Sequence, residues 1–179
     1  MKSMFKALAL GLVVALSACS KDDDDKNNNN NNNTEKLGDV IEGKWEVTKL
    51  LQKNGKNVVG NQTINTFSGT GRDFDGTFEF KADGTTQMDF GYVMDQTSTV
   101  PGFPAQTDSV VISKTQFAGA YQVLTDTKIS TNSLTGTTEE FNVSGITSNT
   151  MTWKGSVSIV DTLLGFTSSM DMEIDFVKQ

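Results

Sequence analysis

Beyond Val40 the chain contains no long stretch with apolar residues at helical spacing and no strand–helix–strand rhythm. Strict alternation recurs instead. Near the end, Met170, Met172, Ile174 and Phe176 fall on one side while Asp171, Glu173 and Asp175 fall on the other, the period of a strand with one face in a core and one in water. This pattern excludes all-α and α/β architectures and predicts an all-β domain.

The strands are predicted from alternation and turn chemistry. Trp45 and Val47 alternate with polar neighbours, and Asn54-Gly55 between Leu50-Leu51 and Val58-Val59 is a strong hairpin signal. Residues 60–72, rich in Asn, Thr, Ser and Gly, read as a loop with room for a short helical turn near Ile64 and Phe67. Phe78 and Phe80 lead into an Asp83-Gly84 turn, and Thr86, Met88 and Phe90 lead away from it, a second hairpin with an aromatic inner face. Residues 94–107 hold both prolines and read as a long connection carrying Phe103. Further strands are predicted at 109–112, 117–124, 128–130, 139–146, 150–160 and 168–177, with an apolar tip of Leu163, Leu164 and Phe166 between the last two. About eight to ten short antiparallel strands leave two architectures, a closed up-and-down β-barrel or a β-sandwich.

Composition narrows the chemistry. The 179 residues carry a net charge of −7, which disfavours a nucleic-acid partner, since phosphate binding needs a basic face. Histidine is absent and there is one cysteine. That combination removes the usual general base, the commonest zinc ligand, the ordinary catalytic triad and any internal disulfide. No metal site, no cofactor and no enzymatic activity is expected.

The N-terminus reads as an address. Lys2 and Lys6 flank the start, an apolar run covers 7–16, and small residues precede Cys19; the run is too short to span a bilayer, which takes about 20 residues. Leu16-Ser17-Ala18-Cys19 resembles the lipobox of bacterial lipoproteins, which implies that residues 1–18 are a signal peptide, that Cys19 is acylated, and that lipid holds the protein to a membrane. Several acyl chains make a stable anchor, each buried methylene contributing roughly 0.8 kcal/mol. Ser20-Lys21 and the four aspartates 22–25 resemble the acidic export signal of surface lipoproteins, implying an outer-membrane, cell-surface position, with a periplasm-facing position as the alternative. The seven asparagines 27–33 cannot build a core, so 19–36 reads as a lipidated tether and 37–179 as the folded domain.

Gly43-Lys44-Trp45 at the head of the first strand is similar to the Gly-X-Trp signature of lipocalins. Taken with residues 78–85, with Asn149-Thr150-Met151-Thr152-Trp153 and with Phe176-Val177-Lys178, residues 37–179 resemble the lipocalin-like domains of bacterial surface lipoproteins. The resemblance implies an eight-stranded barrel whose tryptophan plugs one end, and a cavity for one small apolar or amphiphilic ligand. It assigns Gly43 and Trp45 structural roles. The expected cavity residues are Phe78, Phe80, Met88, Tyr121, Trp153 and Phe176. In that family an arginine packs on the tryptophan, whereas the single arginine here, Arg72, falls in the predicted loop.

Other groupings read as surface. Asp73-Phe74-Asp75-Gly76 resembles a fragment of a calcium loop, but Ala82 stands where the bidentate acid belongs. Glu139-Glu140 and the Asp171, Glu173, Asp175 ladder present no acid–base pair within a cleft. Asp108-Ser109-Val110 and Asp161-Thr162-Leu163 resemble short O-glycosylation sites of exported proteins. The leading expectation is a tethered ligand-binding barrel. The alternative is a non-catalytic protein- or glycan-binding module partnered with an outer-membrane protein, marked by a packed interior and exposed aromatics near Phe103 or Phe166.

Overall fold

A computed structural model describes residues 35–163 and 165–179. The expectations for the leader, for Cys19 and for the acidic and asparagine runs lie outside the described residues, as does that for Leu164. The chain enters through a one-turn helix, α1 (Leu37–Val40), and continues as β1 (Gly43–Val59), β2 (Gln62–Phe80), β3 (Thr85–Thr99), β4 (Gln106–Thr125), β5 (Lys128–Thr131), β6 (Glu139–Ser144), β7 (Thr150–Asp161) and β8 (Phe166–Lys178).

Every strand pairs antiparallel with its sequence neighbour, and β1 pairs with both β2 and β8, which closes the sheet into a ring in the order β1 to β8. This is an all-β, up-and-down barrel. A sandwich would need two separate sheets, so ring closure removes that alternative. The tight β2–β3 turn forms as predicted, with Asp83 Oδ1 accepting from the Thr85 amide at 2.9 Å and from its hydroxyl at 2.6 Å.

Four boundaries differ from expectation. Asn54-Gly55 is not a turn: Asn54 adopts φ 52°, the register shifts there, and β1 runs on to Val59. One left-handed residue makes a bulge as readily as it makes part of a turn. Of residues 60–72 only 60–61 are a turn, because 62–72 form the first half of β2, laddered to β1 on one side and β3 on the other. That half of the strand is mostly solvent-facing, so it needs no apolar alternation; it carries one buried anchor, Phe67, whose ring lies against Gly55. The proline-bearing connection shrinks to 100–105, and the strands at 109–112 and 117–124 are one strand, β4. Turn-forming composition overstated these breaks, because backbone ladders tolerate polar side chains wherever one face meets water.

One end of the barrel is shut. Trp45, Phe80, Phe141, Trp153 and Phe176 are almost wholly buried there, together with Leu37 and Ile41 at the entry helix. Ring centroids lie 5.0 Å apart for Trp153–Phe176, 5.4 Å for Phe141–Trp153 and 5.5 Å for Phe80–Trp153, within the range of favourable tilted and edge-on contacts.

A side-opening apolar cavity

The strands are long where both neighbours are long and unsupported where one is short. β5 reaches β4 only at 121–125, and β6 reaches β7 only at 152–154. The ring is therefore complete in its closed-end half alone. Between 106–119 of β4 and 155–161 of β7, no strand among the described residues fills the wall; Leu134 and Thr135, from the segment joining β5 to β6, stand at this gap.

Behind the gap is a cavity of about 270 Å³. Val47 and Leu50 of β1, Phe78 of β2, Met88, Phe90 and Tyr92 of β3, Val157 of β7, and Met170, Met172 and Ile174 of β8 form its walls. Ile112, Thr115, Leu134, Thr135 and Ile159 form its rim. The lining is mostly apolar, Gln52, Ser113, Thr115 and Thr135 being its polar members, and its three flexible thioethers can conform to an irregular guest. Its volume lies just under the ~300–1,000 Å³ common for ligand pockets, a size suited to a small molecule or to one end of a longer one. The only titratable group in the lining is the Tyr92 phenol, whose pKa burial pushes up.

Of the six residues expected in the cavity, Phe78 and Met88 line it. Phe80, Trp153 and Phe176 do not; they belong to the aromatic plug at the closed end. Tyr121 does not either: its ring stands on Phe80 at 5.3 Å and its hydroxyl donates to the Lys81 carbonyl at 2.9 Å. Alternation correctly puts all of these on inner faces, but depth along the barrel is set by pairing register, which a single strand does not reveal. The wall residues not anticipated include Val47, Leu50, Phe90 and Tyr92. The inward face of Met170, Met172 and Ile174 was legible in the last strand.

Gly43 and Trp45 occupy the closed end. Trp45 is fully buried, its indole N–H donating to the Ile41 carbonyl at 2.7 Å. Lys178 lies over the indole at 5.1 Å and donates to the Val40 carbonyl at 2.8 Å, so it caps the entry helix and faces the ring together. Gly43 has φ 120°, and a Cβ there would sit 2.9 Å from the Lys178 Cε. The cation on the tryptophan is thus a lysine from the final strand. Arg72 lies elsewhere, on β2, bound to Asp73 and to Asp95 at 2.8 Å.

The acidic groups sort by face. Asp171, Glu173 and Asp175 are outside: Glu173 takes Lys49 at 2.5 Å and Lys53 at 3.1 Å, and these lysines pull its pKa down to about 2. Asp73 and Asp75 turn to different cations, Arg72 and Lys114. Glu139 departs from the surface expectation. It shares the inner face of β6 with Phe141 and Val143, only 5% exposed, while Glu140 points out to Lys128. Burial raises the Glu139 pKa, opposed by the hydrogen bond from Thr137 at 2.6 Å; Thr135, on the cavity rim, also donates to this carboxylate. Among the described residues no three carboxylate, cysteine or histidine side chains gather in a metal-binding arrangement.

A scan against protein-family models finds no match, and searches of curated proteins and of solved structures return no significant similarity.

Proposed function

We propose that this protein is a lipid-anchored, non-catalytic carrier that holds a small apolar or amphiphilic molecule inside a lipocalin-like barrel at the outer membrane. The observation that carries the reading is the side-opening cavity, whose walls are aliphatic, aromatic and thioether groups and whose lining holds no carboxylate, lysine or cysteine. Acid–base or nucleophilic catalysis has little to work with there. An amphiphile fits the asymmetry of the site, its apolar part against Phe78, Val157 and Met172 and its polar end at Thr115 and Thr135 on the rim. The Leu-Ser-Ala-Cys resemblance supplies the anchor, with Cys19 the acylated residue.

The test is displacement of a fluorescent fatty-acid probe, together with native mass spectrometry of the protein purified from its host. Val157→Phe, which fills the cavity, is expected to abolish probe binding, while Phe103→Ala on the far turn leaves it intact. Absence of probe binding by the unaltered protein, with no co-purifying small molecule, overturns the carrier reading. A protein- or glycan-binding role is the second reading, favoured by one feature: Phe103 is 69% exposed on the β3–β4 turn beside Pro104. It predicts that Phe103→Ala abolishes capture of a partner and that Val157→Phe does not.

A further inference from the structure

One side of β4 is open. Over 106–119 the strand has β3 along one edge and, among the described residues, no strand along the other. Such an edge presents a row of backbone donors and acceptors that another strand can take up. Its central residues are apolar and exposed: Val110 by 45%, Val111 by 70% and Ile112 by 39%.

This edge is also self-complementary. Gln106-Thr107-Asp108-Ser109-Val110-Val111-Ile112-Ser113-Lys114-Thr115-Gln116 reads nearly the same from either end. With Val111 as the centre, Val110 mirrors Ile112, Ser109 mirrors Ser113, Thr107 mirrors Thr115 and Gln106 mirrors Gln116. The one pair that is unlike in kind is Asp108 with Lys114, and there the charges are opposite. A two-fold axis through an antiparallel pair sets each residue against its mirror position, so like polar and apolar groups meet and unlike charges attract. The other free edge, 155–161 of β7, has no such symmetry.

We propose that β4 pairs antiparallel with β4 of a second copy, centred on Val111, and joins two barrels edge to edge. The register shift between Phe90 and Tyr92 places an extra residue at Ser113-Lys114, so the uninterrupted part of the pairing is 109–113. Lys114 lies beyond it, held by exposed carboxylates, Asp75 at 3.2 Å and Asp89 at 3.8 Å, contacts that its long, flexible side chain can exchange for Asp108 of the second copy. The added strand runs beside Ile112 and Thr115 and so extends the wall at the cavity rim. The pairing does not depend on what the cavity holds.

The full chain carries one cysteine, so Cys19→Ser gives a thiol-free background for the test. Opposed residues of an antiparallel pair have Cα atoms roughly 4.5–5.5 Å apart, within disulfide reach. Val111→Cys, opposite itself, is expected to give a covalent dimer under mild oxidation. A mixture of Ser109→Cys and Ser113→Cys proteins is expected to cross-link to one another in preference to themselves. Val160→Cys, on the β7 edge and 59% exposed, is expected to stay monomeric. In sedimentation equilibrium, Val111→Lys weakens self-association by at least about tenfold with an unchanged circular dichroism spectrum. Equal cross-linking at Val111 and Val160, no preference between Ser109 and Ser113, or a wild-type chain monomeric at every concentration overturns the proposal.

Discussion

At the residue scale, single atoms fix the path of the wall. Gly76 sits in β2 at φ 109°, where a Cβ would stand 1.8 Å from the carbonyl oxygen of Asp89 on β3. No side chain can relieve that contact, because the obstacle is backbone in a paired strand. Gly76→Ala is expected to destabilise the fold by on the order of 3–5 kcal/mol, read as a lower urea midpoint; a midpoint within error of the wild type refutes the close approach. Glu139 shows the opposite limit of legibility. Its neighbour Glu140 is outside, as two adjacent strand residues must face opposite ways, but which of the two turned inward depended on the register of β6 against β5, where Thr131 faces Glu139.

At the scale of elements, β8 shows how one strand serves core and surface together. Its inner side supplies Met170, Met172 and Ile174 to the cavity, and its outer side builds a charge network with β1 and β7, where Glu173 meets Lys49, Lys53 and Lys154. The Glu173 pKa falls from 4.5 to about 2 on folding. A depressed carboxylate pKa contributes stability that is complete above the unfolded value and lost as pH falls through the folded one. Thermal stability should therefore decline between about pH 4.5 and pH 2. Glu173→Gln should flatten that part of the melting-temperature profile, and an unchanged acid limb argues against the network. The faces of β8 were readable from its sequence. β2 and β4 were not read whole, because Gly, Ser and Thr side chains on water-facing strands carry no periodic apolar signal.

For the whole molecule, unequal strand lengths decide where the barrel opens. Short β5 and β6 stand between long β4 and β7, so the wall is interrupted on that side and the cavity opens there, opposite in character to the aromatic end sealed by Trp45 and Lys178. The proposed anchor belongs to the same scale. If Cys19 carries the lipid, Cys19→Ala releases the protein from the membrane fraction and ends incorporation of labelled fatty acid; retained labelling places the acyl chain elsewhere.

The sequence by itself determined the class of fold, the inward faces of most strands, the β2–β3 turn and the absence of histidine and thiol-cluster chemistry. Those follow from side-chain period and residue identity, which are local. Tertiary structure alone decided which inward residues form plug and which form cavity, which carboxylate is buried, that Lys178 serves Trp45, and that among the described residues no strand pairs with the second edge of β4 over 106–119. Each of these depends on the register and length of a neighbouring strand. A half-buried strand carries its own alternation wherever it pairs, but its depth in the barrel exists only relative to its partners.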